Sequence, residues 1–379
     1  MNILFVTHHD KFQGSSRSLM SLIEGLQEYD VTPFVVNPRG SIFTEALRSK
    51  DIRYAILPVP WWVSRKTLSC KKKIDLFSVI QQSVQNLQKV IRDWEIDLVY
   101  TNSSVTPVGL LAARRERVPH IWHIREFGNL DFDLDFIYPK TLCKMFMRMS
   151  NATICHSKVV RNYYFKPGLK KVHQIYNGVA LKDQFDERLA LRQQSQKDRP
   201  FTFVMMSGIT PKKGQEVAIR ALAELRDKGV VARLVIGGSG KTDYLEHLSK
   251  LRSELDLEAQ VEFTGFNKDP FPSYYAANCA LICSENEAFS RVGLESMSTA
   301  LSVIGKNSGG NPEIIKHGTT GFLYDSFEEL VAYMKAMVED PGAARQMGLA
   351  GWQRARDLFN IEDYAAKVYR VIQSVMEKR

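Results

Sequence analysis

Apolar positions along this chain follow two alternating rhythms. Short unbroken apolar runs read as strands buried on both faces, and stretches of helical spacing separate them. In the first half, strands are expected at residues 2–7, 31–36, 97–101, 120–124, 152–155 and 172–176. Gly14-Ser15-Ser16-Arg17 opens a helix carried by Leu19, Leu22, Ile23 and Leu26, residues 40–49 read as helical, and residues 76–94 form a long amphipathic helix. The second half repeats the style, with strands at 201–206, 231–236, 261–264, 280–283 and 301–304 and helices at 215–228, 244–255 and 291–299. Two more helices close the chain. Such alternation predicts an α/β protein with two doubly wound, Rossmann-like parallel sheets. The expected division is residues 1–178 and 179–360, with a last helix at 361–379 packing back on the first part. The charged, polar stretch 181–200 reads as the connection between the two halves.

A length of 379 residues suits two domains, and 44% apolar with 25% charged residues is a soluble globular composition. The longest apolar run, residues 55–63, is broken by Pro58 and Pro60 and is too short to cross a bilayer. The first residues lack the basic start and small-residue cleavage site of a signal peptide. Five cysteines, an odd number with no CxxC pair, argue against a disulfide framework or a zinc site. A cytoplasmic location is therefore expected. Net charge is +9, from 51 basic and 42 acidic residues. Part of the excess, Arg65, Lys66, Lys71, Lys72 and Lys73, follows Trp61 and Trp62. Two readings of this stretch stand: a peripheral membrane contact through residues 61–73, or a solvated loop with two half-buried tryptophans. No nucleic-acid-binding pattern is present, so no nucleic-acid partner is expected.

Open parallel sheets bind ligands beyond the carboxyl ends of their strands, at helix amino termini. The turns in those places are 8–17, 102–106 and 123–126 in the first half, and 207–214, 237–241, 283–290 and 307–312 in the second. Lys212 and Lys213 precede a helix, where a lysine suits a diphosphate. Gly238-Ser239-Gly240 alone is a weak signal, and neither GxGxxG nor GxxxxGK[ST] occurs. Glu287 and Glu295 say more. With a helix starting near Ser290, one carboxylate lies in the loop and the other on the second turn. A carboxylate on the helix can accept both hydroxyls of a ribose, and the loop carboxylate can meet a sugar.

The second half resembles the retaining glycosyltransferases of the GT-B fold, family 4. The matching text is Ser207-Gly208-Ile209-Thr210-Pro211-Lys212-Lys213-Gly214-Gln215, Gly238-Ser239-Gly240, Val261-Glu262-Phe263-Thr264-Gly265-Phe266, the E-x7-E block from Ser284 to Met297, and Ser308-Gly309-Gly310-Asn311-Pro312-Glu313. The first half matches more loosely at Gly14-Ser15-Ser16-Arg17, His123-Ile124-Arg125-Glu126 and Tyr176-Asn177-Gly178-Val179. The resemblance implies that Glu295 holds the donor ribose, Lys213 the donor phosphates, and Glu287 the donor sugar, with the Phe289, Ser290 and Arg291 backbone at sugar and phosphate. His123 lies near the reacting carbon and accepts a sugar hydroxyl or assists the acceptor. Gly14 and Ser15 let the first loop approach the diphosphate, and Gly265 and Phe266 border the base pocket.

The implied reaction moves a sugar from a UDP- or GDP-sugar to a glycan or lipid-linked acceptor with retention, as in cell-surface polysaccharide synthesis, at the inner face of the plasma membrane. No cofactor or metal is expected. Asp131, Asp133 and Asp135 fit a bare DxD pattern but read as acceptor-loop or solvent charges. Closure between the halves would exclude water from the donor. Two alternatives remain, a non-catalytic nucleotide-sugar-binding subunit and a sugar-nucleotide epimerase. The chain departs from the family pattern at Gly208, where an arginine usually stands five residues before the phosphate lysine. Lys212, Arg291 or Arg17 are the candidate substitutes. Ala300 and Ser302 replace a glycine and a proline after the E-x7-E helix.

Overall fold

A computed structural model describes residues 1–8, 14–195 and 199–378. The chain divides into two compact units, residues 1–178 with 361–379, and residues 179–360.

The first unit contains β1 (Asn2–Val6), α1 (Gly14–Leu26), β2 (Thr32–Asn37), α2 (Ile42–Ser49), β3 (Arg53–Ile56), β4 (Val63–Ser64), α3 (Cys70–Asp93), β5 (Leu98–Asn102) and α4 (Val108–Arg115). It continues with β6 (His120–Ile124), α5 (Asn129–Phe132), β7 (Asp135–Phe136), α6 (Lys140–Arg148), β8 (Ala152–Cys155), α7 (Lys158–Tyr164) and β9 (Val172–Gln174). Seven strands form a parallel sheet in the order β3-β2-β1-β5-β6-β8-β9, and β4 and β7 form a separate antiparallel pair. Central β5 and β6 are buried at every position. Asn102 and His123 lie at their carboxyl ends, with Glu126 just beyond.

The second unit contains α8 (Lys182–Ser195), β10 (Thr202–Met206), α9 (Gln215–Asp227), β11 (Arg233–Gly237), α10 (Thr242–Glu254), β12 (Val261–Gly265), α11 (Phe271–Ala276) and β13 (Cys279–Ile282). Then follow α12 (Arg291–Ser298), β14 (Ser302–Lys306), α13 (Asn311–Ile314), β15 (Gly321–Tyr324), α14 (Phe327–Glu339) and α15 (Pro341–Leu358). Its sheet is parallel in the order β12-β11-β10-β13-β14-β15, so the strand order reverses between β10 and β13. That reversal opens the crevice in which α/β sheets take ligands.

The last helix, α16 (Ile361–Met376), belongs to the first unit. Its buried face of Tyr364, Ala365, Val368, Ile372 and Val375 shares a core with Leu19, Leu22, Ile23 and Leu26 of α1. Gly25 permits the crossing, because a Cβ there would stand 2.6 Å from that of Ala365.

Several elements differ from the sequence expectation. Residues 182–195 form α8 rather than a bare connection, because Phe185 and Arg192 are buried in an otherwise polar helix. Of the polar run expected there, residues 196–198 lie outside the described residues. The long helix begins at Cys70, not at 76, because Ser69 caps it. Trp62 is not half-buried. It is enclosed against Trp122, and its indole N–H donates to the Ser104 carbonyl at 2.7 Å. No helix among the described residues is long and apolar enough to cross a membrane.

Candidate active site

The loops beyond β10, β11 and β12 are laced together. Ser207 N–H donates to the Gly237 carbonyl, Ile209 N–H to Ser239, and Gly238 N–H to Gly265. Gly238 is required here: it has φ +149°, and a Cβ would collide with the Ser207 carbonyl oxygen. The short 3-10 turn that carries Lys213 ends at Gly214 (φ +72°), where a Cβ would meet Cys283 at 2.6 Å. Close approach of these backbones brings the lysine loop onto the end of β13.

There the Lys213 ammonium meets the Glu287 carboxylate at 2.5 Å. Burial pushes the Glu287 carboxyl up, but the Lys213 charge and hydrogen bonds from Lys213 and Ser284 outweigh it and hold it below its ordinary value. The Glu287 carbonyl also accepts the Gly310 N–H at 2.7 Å, which draws in the loop beyond β14. Ser290 caps α12 by accepting the Gly293 N–H at 3.1 Å. Intrahelical bonding then begins with Leu294 N–H to Ser290, so the N–H of Val292 points out of the first turn. Phe289 is buried edge-on against Phe359.

Glu295, also buried, is held at 2.8 Å by Nε of Arg291 one turn earlier. Arg291 is thereby committed to Glu295 and is a poor substitute for the arginine absent at Gly208. A second guanidinium, Arg188 of α8, is set beside this pair by a hydrogen bond to Ser298 Oγ at 2.9 Å and by stacking on Phe271. Burial lowers its pKa, while the nearby Glu295 charge raises it. Sequence reasoning missed Arg188 because its helix read as a connection. Gly208 is exposed, with no heavy atom within 4 Å of where a Cβ would stand. Gly265 (φ +70°) is likewise open, and Phe266 beside it is 61% exposed.

In the first unit a second cluster gathers at the carboxyl ends of β5 and β6. Arg125 is buried and donates to four neutral groups: Asn102 Oδ1 (2.5 Å), Asn177 Oδ1 (2.6 Å), His123 Nδ1 (3.1 Å) and Tyr364 Oη of α16 (2.9 Å). A guanidinium can only donate, so His123 Nδ1 accepts, and the proton of the neutral ring sits on Nε2. That nitrogen is buried and has no hydrogen-bond partner among the described residues. Burial, then Arg125 and His156, holds the ring well below its usual pKa. In this tautomer Nε2 of His123 is a donor.

Glu126 beside it accepts from Ser103 Oγ (2.8 Å), Ser104 N–H (2.5 Å) and Ser104 Oγ (2.6 Å), fixing the loop after β5. Asn102 Nδ2 donates to the Ser15 carbonyl at 3.2 Å and brings the Gly14-Ser15 turn to the same place. Gly14 is exposed, and no atom of the described residues lies within 4 Å of where a Cβ would stand. Asp131 takes the Phe127 and Gly128 N–H groups at 3.0 and 2.8 Å. Burial and the Glu126 charge push its pKa up to about 7. Among the described residues no cluster of three metal-ligating side chains occurs. Arg125 and Asn177 belong to the matched segments but their spacing assigns them no role, and Tyr364 lies more than two hundred residues away in sequence.

Comparison with known proteins meets this geometry. The signature of Glycosyl transferases group 1 matches residues 187–354, and that of Glycosyltransferase Family 4 matches residues 12–183. The chain belongs to this family. It is 31% identical over 193 residues to the GDP-mannose-dependent alpha-(1-6)-phosphatidylinositol monomannoside mannosyltransferase of Mycolicibacterium smegmatis, over 48% of this chain and 50% of that protein. It is 28% identical over 197 residues to the human alpha-1,3/1,6-mannosyltransferase ALG2, over 48% and 47% of the two chains. The chain thus spans about half the length of the curated relatives it matches. The crystal structure of Anabaena Alr3699/HepE in complex with UDP superposes with a TM-score of 0.79, covering 99% of this chain and all of that one at 21% identity. The fold is GT-B, two Rossmann-like domains.

Proposed function

We propose that this chain transfers a sugar from a UDP- or GDP-sugar to a hydroxyl of a glycan or lipid-linked acceptor, at the cytoplasmic face of a membrane and with retention at the anomeric carbon. The observation that carries the reading is the Lys213–Glu287 ion pair at the start of α12, with Glu295 one turn inside that helix. A diphosphate there gains the Lys213 charge and the amino end of α12. Glu295, charge-paired with Arg291, accepts the ribose hydroxyls, and Glu287 faces the sugar. The bond from the anomeric carbon to the diphosphate breaks as the acceptor oxygen bonds to that carbon on the same face. The acceptor proton passes to the departing diphosphate. Lys213 stabilises the charge that develops there, and His123 donates to a sugar oxygen through Nε2. The relatives named above include two mannosyltransferases, one of them GDP-mannose-dependent, and the HepE structure holds UDP, which supports a nucleotide-sugar donor. We propose that no metal or other cofactor takes part, so a chelator leaves the rate unchanged.

The reading is tested by melting the protein with UDP and with GDP, then supplying the matching sugar donors with an acceptor panel. One nucleotide should raise the melting temperature, and its sugar should be consumed only when an acceptor is present. Glu295→Ala should abolish the shift while the unliganded melting point stays near that of the parent. Absence of any nucleotide effect overturns the reading. Binding without turnover would point instead to a donor-binding subunit, which the missing cation at Gly208 favours. Donor conversion without an acceptor would point to an epimerase.

A further inference from the structure

The basic stretch after Trp61 takes a different form in the structure from a loop with paired tryptophans. Trp62 is core, and the Trp61 indole N–H is spent on the His8 carbonyl at 2.7 Å. Besides Trp61, 36% exposed, two helices carry exposed apolar side chains. The first turns of α3 present Ile74 (67% exposed) and Phe77 (55%), three residues apart. The outer face of α6 presents Leu142 (39%) and Met145 (52%), again three apart, with exposed Arg148 one turn further on. Tyr138, just before α6, joins the two by donating its hydroxyl to the Lys73 carbonyl at 3.1 Å.

An ordinary surface helix turns its apolar stripe inward. These two bury one stripe (Ile80, Val84 and Leu87 in α3, Cys143 and Met147 in α6) and leave a second, shorter one in solvent. Residues 65–77 and 140–148 hold eight basic residues and one acidic residue, Asp75. Apolar side chains rimmed by cations of one sign match a lipid surface with anionic headgroups.

We propose that the start of α3 and the outer face of α6 form a peripheral membrane-binding surface selective for anionic lipid. The aliphatic and phenyl groups enter the acyl boundary, and Lys66, Lys71, Lys72, Lys73 and Arg148 reach headgroup phosphates on flexible stems, while Arg65, Lys140 and Lys144 are bonded to Phe132 and Tyr163. This deepens and rests on the membrane-facing part of the function proposed above. Its test uses neither donor nor acceptor, so either can fail alone.

Wild-type protein should sediment with phosphatidylcholine vesicles containing phosphatidylglycerol, less with phosphatidylcholine alone, and less at high salt. Lys71→Ser with Lys72→Ser should weaken binding to the anionic vesicles about tenfold or more. Ile74→Ser with Met145→Ser should weaken it comparably, with the melting temperature and any nucleotide-induced shift preserved. Wild type remaining in the supernatant, or variants that sediment like wild type, overturns the proposal. So does a wild-type dimer that these variants dissolve while vesicles have no effect, which would make the face a contact between copies. Competition by soluble polyglutamate that ignores Ile74 and Met145 would assign the patch to an acidic protein and also overturn it.

Discussion

At the scale of single residues, Gly208 stands where the resembled family pattern carries a second cation before the phosphate lysine, and the structure leaves room for one there. Gly208 is exposed, its φ lies outside the left-handed region, and nothing would touch an added Cβ. Gly208→Arg should therefore fold without penalty and raise kcat/KM about tenfold or more, since a preorganised charge at a leaving group contributes at least that much. Donor titration and initial rates check this, and an unchanged rate with an unchanged melting point would show that Arg188 or another group already supplies the charge. His123 gives a second prediction. Loss of one preorganised donor lowers the rate about a hundredfold, so His123→Ala should fall that far. His123→Gln, whose amide nitrogen reaches the place of Nε2, should retain more activity than His123→Asn, whose amide corresponds to Nδ1. The opposite order would assign the work to Nδ1. Lys213, Glu287 and Glu295 were legible in the sequence because a spacing around a helix start is a local fact. The Arg125 partners were not, because Asn102, Asn177 and Tyr364 come from a strand end, a loop and the last helix.

At the scale of elements, the legible parts were those with a strong periodic signal, and the missed parts were those held by a few contacts. The central strands β5, β6, β10 and β13 are largely apolar and lie within a residue or two of where the pattern places them. Helix α8 shows no apolar stripe, since only Phe185 and Arg192 are buried, and it is held by Arg192 donating to the Tyr274 and Ala277 carbonyls at 2.9 and 3.0 Å. Ala300, where the resembled family has glycine, sits at φ 55°, in the left-handed region, after α12. Helix α16 offers the clearest test. Its crossing with α1 depends on Gly25, where a side chain would press on Ala365 and on Ile361, 2.8 Å away. Overpacking such a crossing costs about 1–3 kcal/mol. Gly25→Val should lower the unfolding free energy by that amount, read from urea titration as midpoint times m-value, and, by shifting Tyr364, loosen Arg125. Gly25→Ala with wild-type stability would mean that the two helices separate easily.

At the scale of the whole molecule, two parallel sheets were legible from alternation alone, but the distribution of buried charge and proton sites was not. Periodicity sees polarity, not partners. Three histidines, His120, His123 and His156, are fully enclosed, and all three belong to the first unit. His120 bonds Thr101 Oγ1 at 2.8 Å and Ser150 Oγ at 2.9 Å, and burial lowers its pKa to about 3. Burial, with Arg125 adding to it, also depresses His123 and His156. A histidine whose folded pKa is depressed stabilises the fold above its unfolded pKa of about 6.5, and the contribution is lost as pH falls toward the folded value. Each such ring removes about 1.4 kcal/mol per pH unit in that window. Glu287 is also depressed, but from the carboxylate range, so its contribution disappears only at lower pH. Acid sensitivity between about pH 6.5 and 5 therefore belongs to the first unit. That unit also holds Trp61, Trp62, Trp94 and Trp122, four of the five tryptophans, so fluorescence reports its unfolding. The urea midpoint by tryptophan fluorescence should fall steeply from pH 6.5 to 5. A midpoint that stays level across that interval would mean that one or more of these rings is protonated in the folded protein, and for His123 it would remove the argument that its free nitrogen is a neutral donor.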